Sequence, residues 1–287
     1  MSPLVLAVLL LSAAMHTAWN GWMKGSGNKL AYHWAGLVAA IVIYAIPVAL
    51  TTPLALPRAA WPVLAGSALC EVGYMVCITR AYTRGEMSLV YPMSRGSAPL
   101  WIAAGGLVMG VPLPWAGYLG VALLVMGIYV VSLPSWGNVH QPLRSLAQPG
   151  AGWALAAGIC IAGYSSFDKV GVTLVPPAAY NLWTFIAMTV AALPAVWRLE
   201  GPSRVVATVR AERWRVVLGG LFVMGTYFLV LWALARAPAS YVTAVRSFSI
   251  LFGAVWAARV LHERFGTARA VGAALAVAGL VVIAVAG

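Results

Sequence analysis

Apolar runs of helix length alternate with short polar breaks along nearly the whole chain. A hydrocarbon core about 30 Å thick is crossed by about 20 residues of helix. Roughly ten such runs fit: 3–22, 32–52, 61–82, 88–110, 114–133, 151–168, 177–197, 214–235, 240–260 and 267–286. The pattern predicts an all-α integral membrane protein with ten transmembrane helices and no soluble domain between them. The first run has the apolar core of a signal peptide but no basic start. Its polar positions continue in helical register to Lys24, so we read it as an uncleaved membrane helix.

Polar residues inside the runs carry the functional information. Ser88–Val111 holds Arg95 about two turns in, flanked by Pro92 and Pro99 and followed by Gly96. A charge there costs roughly 3 kcal/mol or more on insertion. The prolines remove backbone donors and open carbonyls of the preceding turn. Lipid tolerates neither, so this stretch is expected to wall a watery pathway through the protein. The ninth run holds a second arginine, Arg246. The third holds Glu71, in a stripe with Ser67 and Tyr74. His16, Asn20 and Lys24 are spaced by four and share one helix face, with Trp19 beside them. Tyr164 lies one turn before Asp168 on the same face of the sixth run. Asp168 itself, next to Lys169 at that run's end, reads as half of a local ion pair. Tyr32, His33 and Trp34, opening the second run, read as an interfacial aromatic set. Arg80 and Arg84, ending the third, read as snorkelling to headgroups. The segment 198–214 reads as a basic loop.

The chain also repeats itself. Gly73 and Gly225, Arg84 and Arg236, Ser88 and Ser240, Gly120 and Gly272, and Gly127 and Gly279 share one offset, and at it Arg95 lands one residue past Arg246. This predicts two five-helix repeats, 1–133 and 151–287, joined by a polar linker at 134–150. Five is odd, so the second copy inserts upside down, and the basic residues shift to different breaks in the second copy. Inverted repeats build alternating-access carriers with the site near mid-membrane.

Composition agrees. The chain of 287 residues is 62% hydrophobic and 8% charged, against about 25% charged for soluble domains. Its net charge of +12 sits mostly at helix ends, where headgroups account for it and no nucleic-acid partner is needed. Cys70, Cys77 and Cys160 lie inside runs without metal-like spacing and read as packing residues. The four histidines are scattered and the carboxylates isolated, which argues against an enzyme, a metal site or a cofactor.

Several stretches together resemble a known family: AWNGWMK in the first run, YPMSRGSAPLW in the fourth, GYSSFDKVGV in the sixth, the HERF turn after the ninth, and the glycine-spaced last run of each half. They resemble EamA-type members of the drug/metabolite transporter superfamily. YPMSRGSAP and YSSFDKVGV also look like members found with phosphonate-utilisation functions. The resemblance implies a multi-pass carrier in the bacterial inner membrane that exports small metabolites without nucleotide hydrolysis. The family often has a Gly-Glu pair after the fourth helix of each repeat; Glu263 fits it, whereas Val111–Pro112 stands in the first half. The resemblance implies cytoplasmic termini, while the charge rule places them outside.

Together these readings give a secondary transporter of a small anionic or zwitterionic metabolite, an amino acid, organic acid or phosphonate. Arg95, Arg246 and Glu71 are expected to form the substrate site, lined by His16, Asn20, Tyr74, Trp19 and Tyr164, with a proton as candidate coupling ion. The alternatives are a multidrug or cation efflux carrier, an integral-membrane enzyme, or a membrane protein that transports nothing.

Overall fold

Helix boundaries follow capping chemistry more closely than they follow hydropathy. Asn28 accepts from the Ala31 amide at 3.0 Å and starts the second helix. Pro176 and Pro177 end one helix and open the next. Gly201, at φ +77°, takes the left-handed turn between two more. The computed structural model describes residues 3–108, 114–131, 133, 136–138, 148–234, 236, 249, 252, 256, 259, 260, 262 and 266–286. These form α1 (Pro3–Gly25), α2 (Lys29–Thr51), α3 (Ala60–Arg84), α4 (Met87–Val108), α5 (Trp115–Val131), α6 (Ala151–Leu174), α7 (Pro177–Leu199), α8 (Gly201–Leu234) and α9 (Thr267–Ala286), with one 3-10 turn at Trp136–Asn138. No strand occurs among the described residues. Single positions apart, the expected run 240–260 lies outside them, as do Arg246, Val111–Pro112 and Glu263.

Two boundaries differ from expectation. The segment 198–214 is not a loop: α8 starts at Gly201 and continues to Leu234. Val205, Thr208 and Val216 are buried while Arg204, Arg210, Arg213 and Arg215 face out, so the basic residues form the wet face of an amphipathic first stretch. Glu212, at φ −122° and ψ 26°, breaks the helix where that stretch turns into the membrane. The sixth run also continues past its hydropathy limit, to Leu174, because no helix breaker comes before Pro176.

Among the described residues five helices, α1, α2, α3, α7 and α8, are long and apolar enough to cross a membrane. Their outer faces are apolar. On α2, Val42, Ile46 and Leu50 form one stripe at 72%, 69% and 80% exposure, which water would not tolerate and lipid would.

The bundle is held by helix pairs. The most extensive pairing is α5 with α9, followed by α3 with α6, α2 with α8, α4 with α6 and α1 with α8. The α5–α9 seam is backbone against backbone. A Cβ on Gly127 would stand 2.8 Å from the Gly272 carbonyl oxygen, and one on Gly272 2.8 Å from that of Gly127. Between α3 and α6, Gly73 meets the Cys160 sulfur and Gly163 that of Cys70, so these cysteines fill gaps left by glycines. Gly272→Leu is expected to collapse the yield of folded protein in detergent, whereas Gly137→Leu, with nothing within 4 Å of the added carbon, leaves it unchanged. Overpacking typically costs about 1–3 kcal/mol, and unyielding backbone puts Gly272 at the upper end. Equal melting temperatures for the two variants would contradict this packing.

At one end the turn between α1 and α2 is clasped by acids from α7 and α8. Asn28 donates to Glu200 at 2.6 Å, and Ser26 to Glu212 at 2.7 Å. Lys24 donates to the carbonyls of Tyr82 and Gly85 at 2.7 and 2.5 Å, completing the C-terminus of α3.

Candidate functional site

Helical spacing brings residues far apart in the chain to one enclosed space. In α1, His16 and Asn20 are one turn apart, both buried, and the Asn20 amide donates to the His16 carbonyl at 2.8 Å. The Asn20 oxygen accepts from Tyr82 of α3 at 3.2 Å, fixing the face that α1 shows the bundle. In α3, Ser67, Glu71 and Tyr74 share a stripe, and α4 stays helical through Pro92 and Pro99 and presents Arg95.

These elements enclose a cavity of about 40 Å³ lined by His16, Trp19, His33, Glu71, Tyr74, Arg95, Tyr164, Thr184, Phe185, Met188, Val223, Thr226 and Tyr227. Of the residues expected from sequence, His16, Trp19, Glu71, Tyr74, Arg95 and Tyr164 meet here. Asn20 stands one shell back, bonded to His16. Rings line much of the wall. His16 meets Trp19 edge-on at 6.0 Å, Trp19 meets His33 at 4.9 Å, His33 meets Tyr74 at 6.4 Å and Tyr74 meets Tyr164 at 6.1 Å. Such tilted pairs hold shape through ring quadrupoles as well as through buried area.

Arg95 bonds through its Nη2 to His16 Nε2. A guanidinium only donates, so in this contact the ring nitrogen is the acceptor. Asn20 Nδ2, another donor, lies 3.2 Å from the same nitrogen, while Trp19 Nε1 lies 3.3 Å from Nδ1. Arg95 Nε, His33 Nδ1 and Tyr91 Oη are buried with no hydrogen-bond partner among the described residues. The cavity therefore holds an inward-facing cation with spare donor capacity, and oxygens of an anion are its natural complement.

Seven lining residues were not singled out from sequence for this cavity: His33, Thr184, Phe185, Met188, Val223, Thr226 and Tyr227. His33, expected at the interface, is 3% exposed and inside the bundle. Its neighbours in that set are tied inward too, Tyr32 to the Arg215 carbonyl at 2.7 Å and Trp34 to that of Thr189 at 3.0 Å. Asp168 is likewise buried. It accepts from Ser67 at 2.6 Å, from Tyr180 at 2.7 Å and from Tyr227; the Lys169 side chain, its expected ion-pair partner, lies outside those described.

A wider cavity of about 410 Å³ opens at the end of the bundle, lined by Lys29, Arg80, Arg84, Arg204 and Glu200 among others. Arg80 and Arg84 lie over the Trp153 ring at 4.8 and 5.8 Å. Its basic rim attracts anions toward the bundle.

Residues 148–285 match the EamA-like transporter family. The uncharacterized transporter YwfM of Bacillus subtilis (strain 168) is 25% identical over 232 residues, covering 79% of this chain and 74% of that one. Both likenesses point to transport, and with the apolar helices they make this a multi-pass integral membrane protein, which in bacteria sits in the inner membrane.

Proposed function

We propose, from the premise that residues 148–285 form an EamA-like transporter domain, that the whole chain is a secondary active carrier. It is built as two inverted five-helix repeats, 1–133 and 151–287, around the linker 134–150. It moves a small polar metabolite bearing a carboxylate, phosphonate or similar anionic group, in the direction of export. The observation that carries this reading is Arg95 lining the cavity, its guanidinium against the His16 ring.

Three features support it. Helix pairing is what a two-fold relation between the repeats requires: α3 with α6 is matched by α8 with α1, and α2 with α8 by α7 with α3, while α2 with α7 and α5 with α9 are their own counterparts. The basic rim at the bundle end concentrates anions, not cations. A cavity of about 40 Å³ holds a water molecule or so, which suits a closed conformation that must widen to take cargo, as alternating access demands. Arg246, by its place in the repeat, supplies the second guanidinium, and Glu71 the counter-charge.

His16 is the candidate proton carrier, since its Nε2 can take a proton only when Arg95 leaves it.

Proteoliposome flux tests this. Amino acids, organic acids and phosphonates are offered with and without a pH gradient. At least one anion-bearing compound is expected to move, several-fold faster with the gradient. Flux of organic cations alone would overturn the reading. Flux indifferent to the gradient would remove the proton. Cysteine accessibility at the basic rim fixes the orientation.

A further inference from the structure

The wide cavity at the end of the bundle gathers Lys29 from the opening of α2, Arg80 and Arg84 from the end of α3, and Arg204 from the opening of α8. Glu200 is the acid among them and is already engaged, accepting from Asn28 at 2.6 Å and facing the Arg204 guanidinium at 3.5 Å. Four cations against one acid leave three positive charges over on this lining. Arg80 and Arg84, one turn apart, lie over the Trp153 ring at 4.8 and 5.8 Å, and among the described residues neither has a carboxylate partner. A guanidinium held by its charge over a ring still has its N–H fork to give, and that fork matches two oxygens of a phosphate.

The place and the walls say which phosphate. All four basic residues sit at a helix end or within a turn of one, the level at which membrane helices leave the hydrocarbon. Leu30, Val76 and Leu199 wall the same cavity. Leu199 is exposed, and so are Trp197 and Trp214 on either side of the amphipathic opening of α8, as rings in a headgroup belt are. A free anion has no use for an apolar wall, whereas a phospholipid carries its phosphate beside glycerol and acyl chains. At about 410 Å³ the space is of small-molecule size. From these observations we propose that this cavity binds the headgroup of an anionic phospholipid, its phosphate on Arg80 and Arg84 and its glycerol against the apolar wall. Bound there, the lipid ties the end of α3 to the junction of α7 and α8. A singly charged headgroup leaves the rim positive, and the site is independent of what the carrier moves.

Lipid titration of the full chain in detergent tests this, read by native mass spectrometry and by melting temperature. One phosphatidylglycerol per chain is expected to bind about 10-fold more tightly than phosphatidylcholine, and to raise the melting temperature where phosphatidylcholine does not. The double variant Arg80→Gln/Arg84→Gln is expected to bring that preference below about 3-fold. Arg58→Gln, at an exposed position between α2 and α3 at the other end of the bundle, leaves it intact. Equal binding of the two lipids by wild-type protein overturns the proposal. Inorganic phosphate that stabilises as well as phosphatidylglycerol makes the ligand a free anion and overturns the lipid. An equal loss in Arg58→Gln reduces the preference to the overall charge of the chain and overturns the site. Should the double variant misfold, Arg84→Gln alone, at an exposed position, and the wild-type comparison of the two lipids decide between the same outcomes.

Discussion

Arg95→Gln is expected to abolish transport of the proposed anion-bearing cargo while the protein still folds. Truncating one partner of a buried charge pair costs about 2–5 kcal/mol, on the order of 30- to several-thousand-fold in affinity. Folding is expected to survive because a glutamine amide can donate to the same His16 nitrogen. Arg95→Lys keeps the charge but loses the planar fork and is expected to retain weak transport. Flux in proteoliposomes, measured beside melting in detergent, separates the two effects. Normal flux by a folded Arg95→Gln protein would remove the guanidinium from the site.

Asp168→Ala is expected to lower the stability of the protein markedly. Its loss leaves the hydroxyls of Ser67, Tyr180 and Tyr227 in the interior without their acceptor. Each such hydroxyl costs about 1–3 kcal/mol, so the sum is on the order of 3 kcal/mol or more. For a chain of this size that lowers the melting temperature by roughly 6–12 °C. Asp168→Asn keeps a carbonyl oxygen and is expected to lose less than half as much. A melting temperature for Asp168→Ala within about 2 °C of wild type would show that the carboxylate does not hold the four helices together.

The contrast between these two residues shows what could be read from the chain. Arg95 is legible because a charge between prolines, deep in an apolar run, has few explanations. His16, Glu71, Tyr74 and Tyr164 follow from helical spacing once their runs are recognised. Asp168 is not legible in this way. Hydropathy falls at the YSSFDK segment, so the apolar run stops there, and a carboxylate beside a lysine at a helix end looks like a surface pair. The helix goes on because Val170–Leu174 contains no breaker before Pro176, and that carries Asp168 inward. His33 misleads for a related reason: five residues from a helix start with aromatic neighbours on both sides, it imitates an interfacial belt. Tyr227 and Thr226 sit in an apolar run with no charge to mark them, and only the packing of α8 against α1 and α2 turns that face inward. Basic 201–215 is a helix because its apolar positions recur at helical spacing, a signal that its arginines mask in a simple hydropathy reading.

The clasp on the α1–α2 turn has a bearing on motion. Glu200 and Asn28 meet at the edge of the wide cavity, within reach of solvent. When that contact parts, carboxylate and amide are both rehydrated, so release costs little and is readily reversed. The interlocked glycines of α5 and α9 have no such exchange available, since water cannot replace a backbone lodged against a backbone. In the proposed carrier the α5–α9 seam is therefore expected to stay shut through any rocking, while the α1–α2 turn is held by a bond that water can replace.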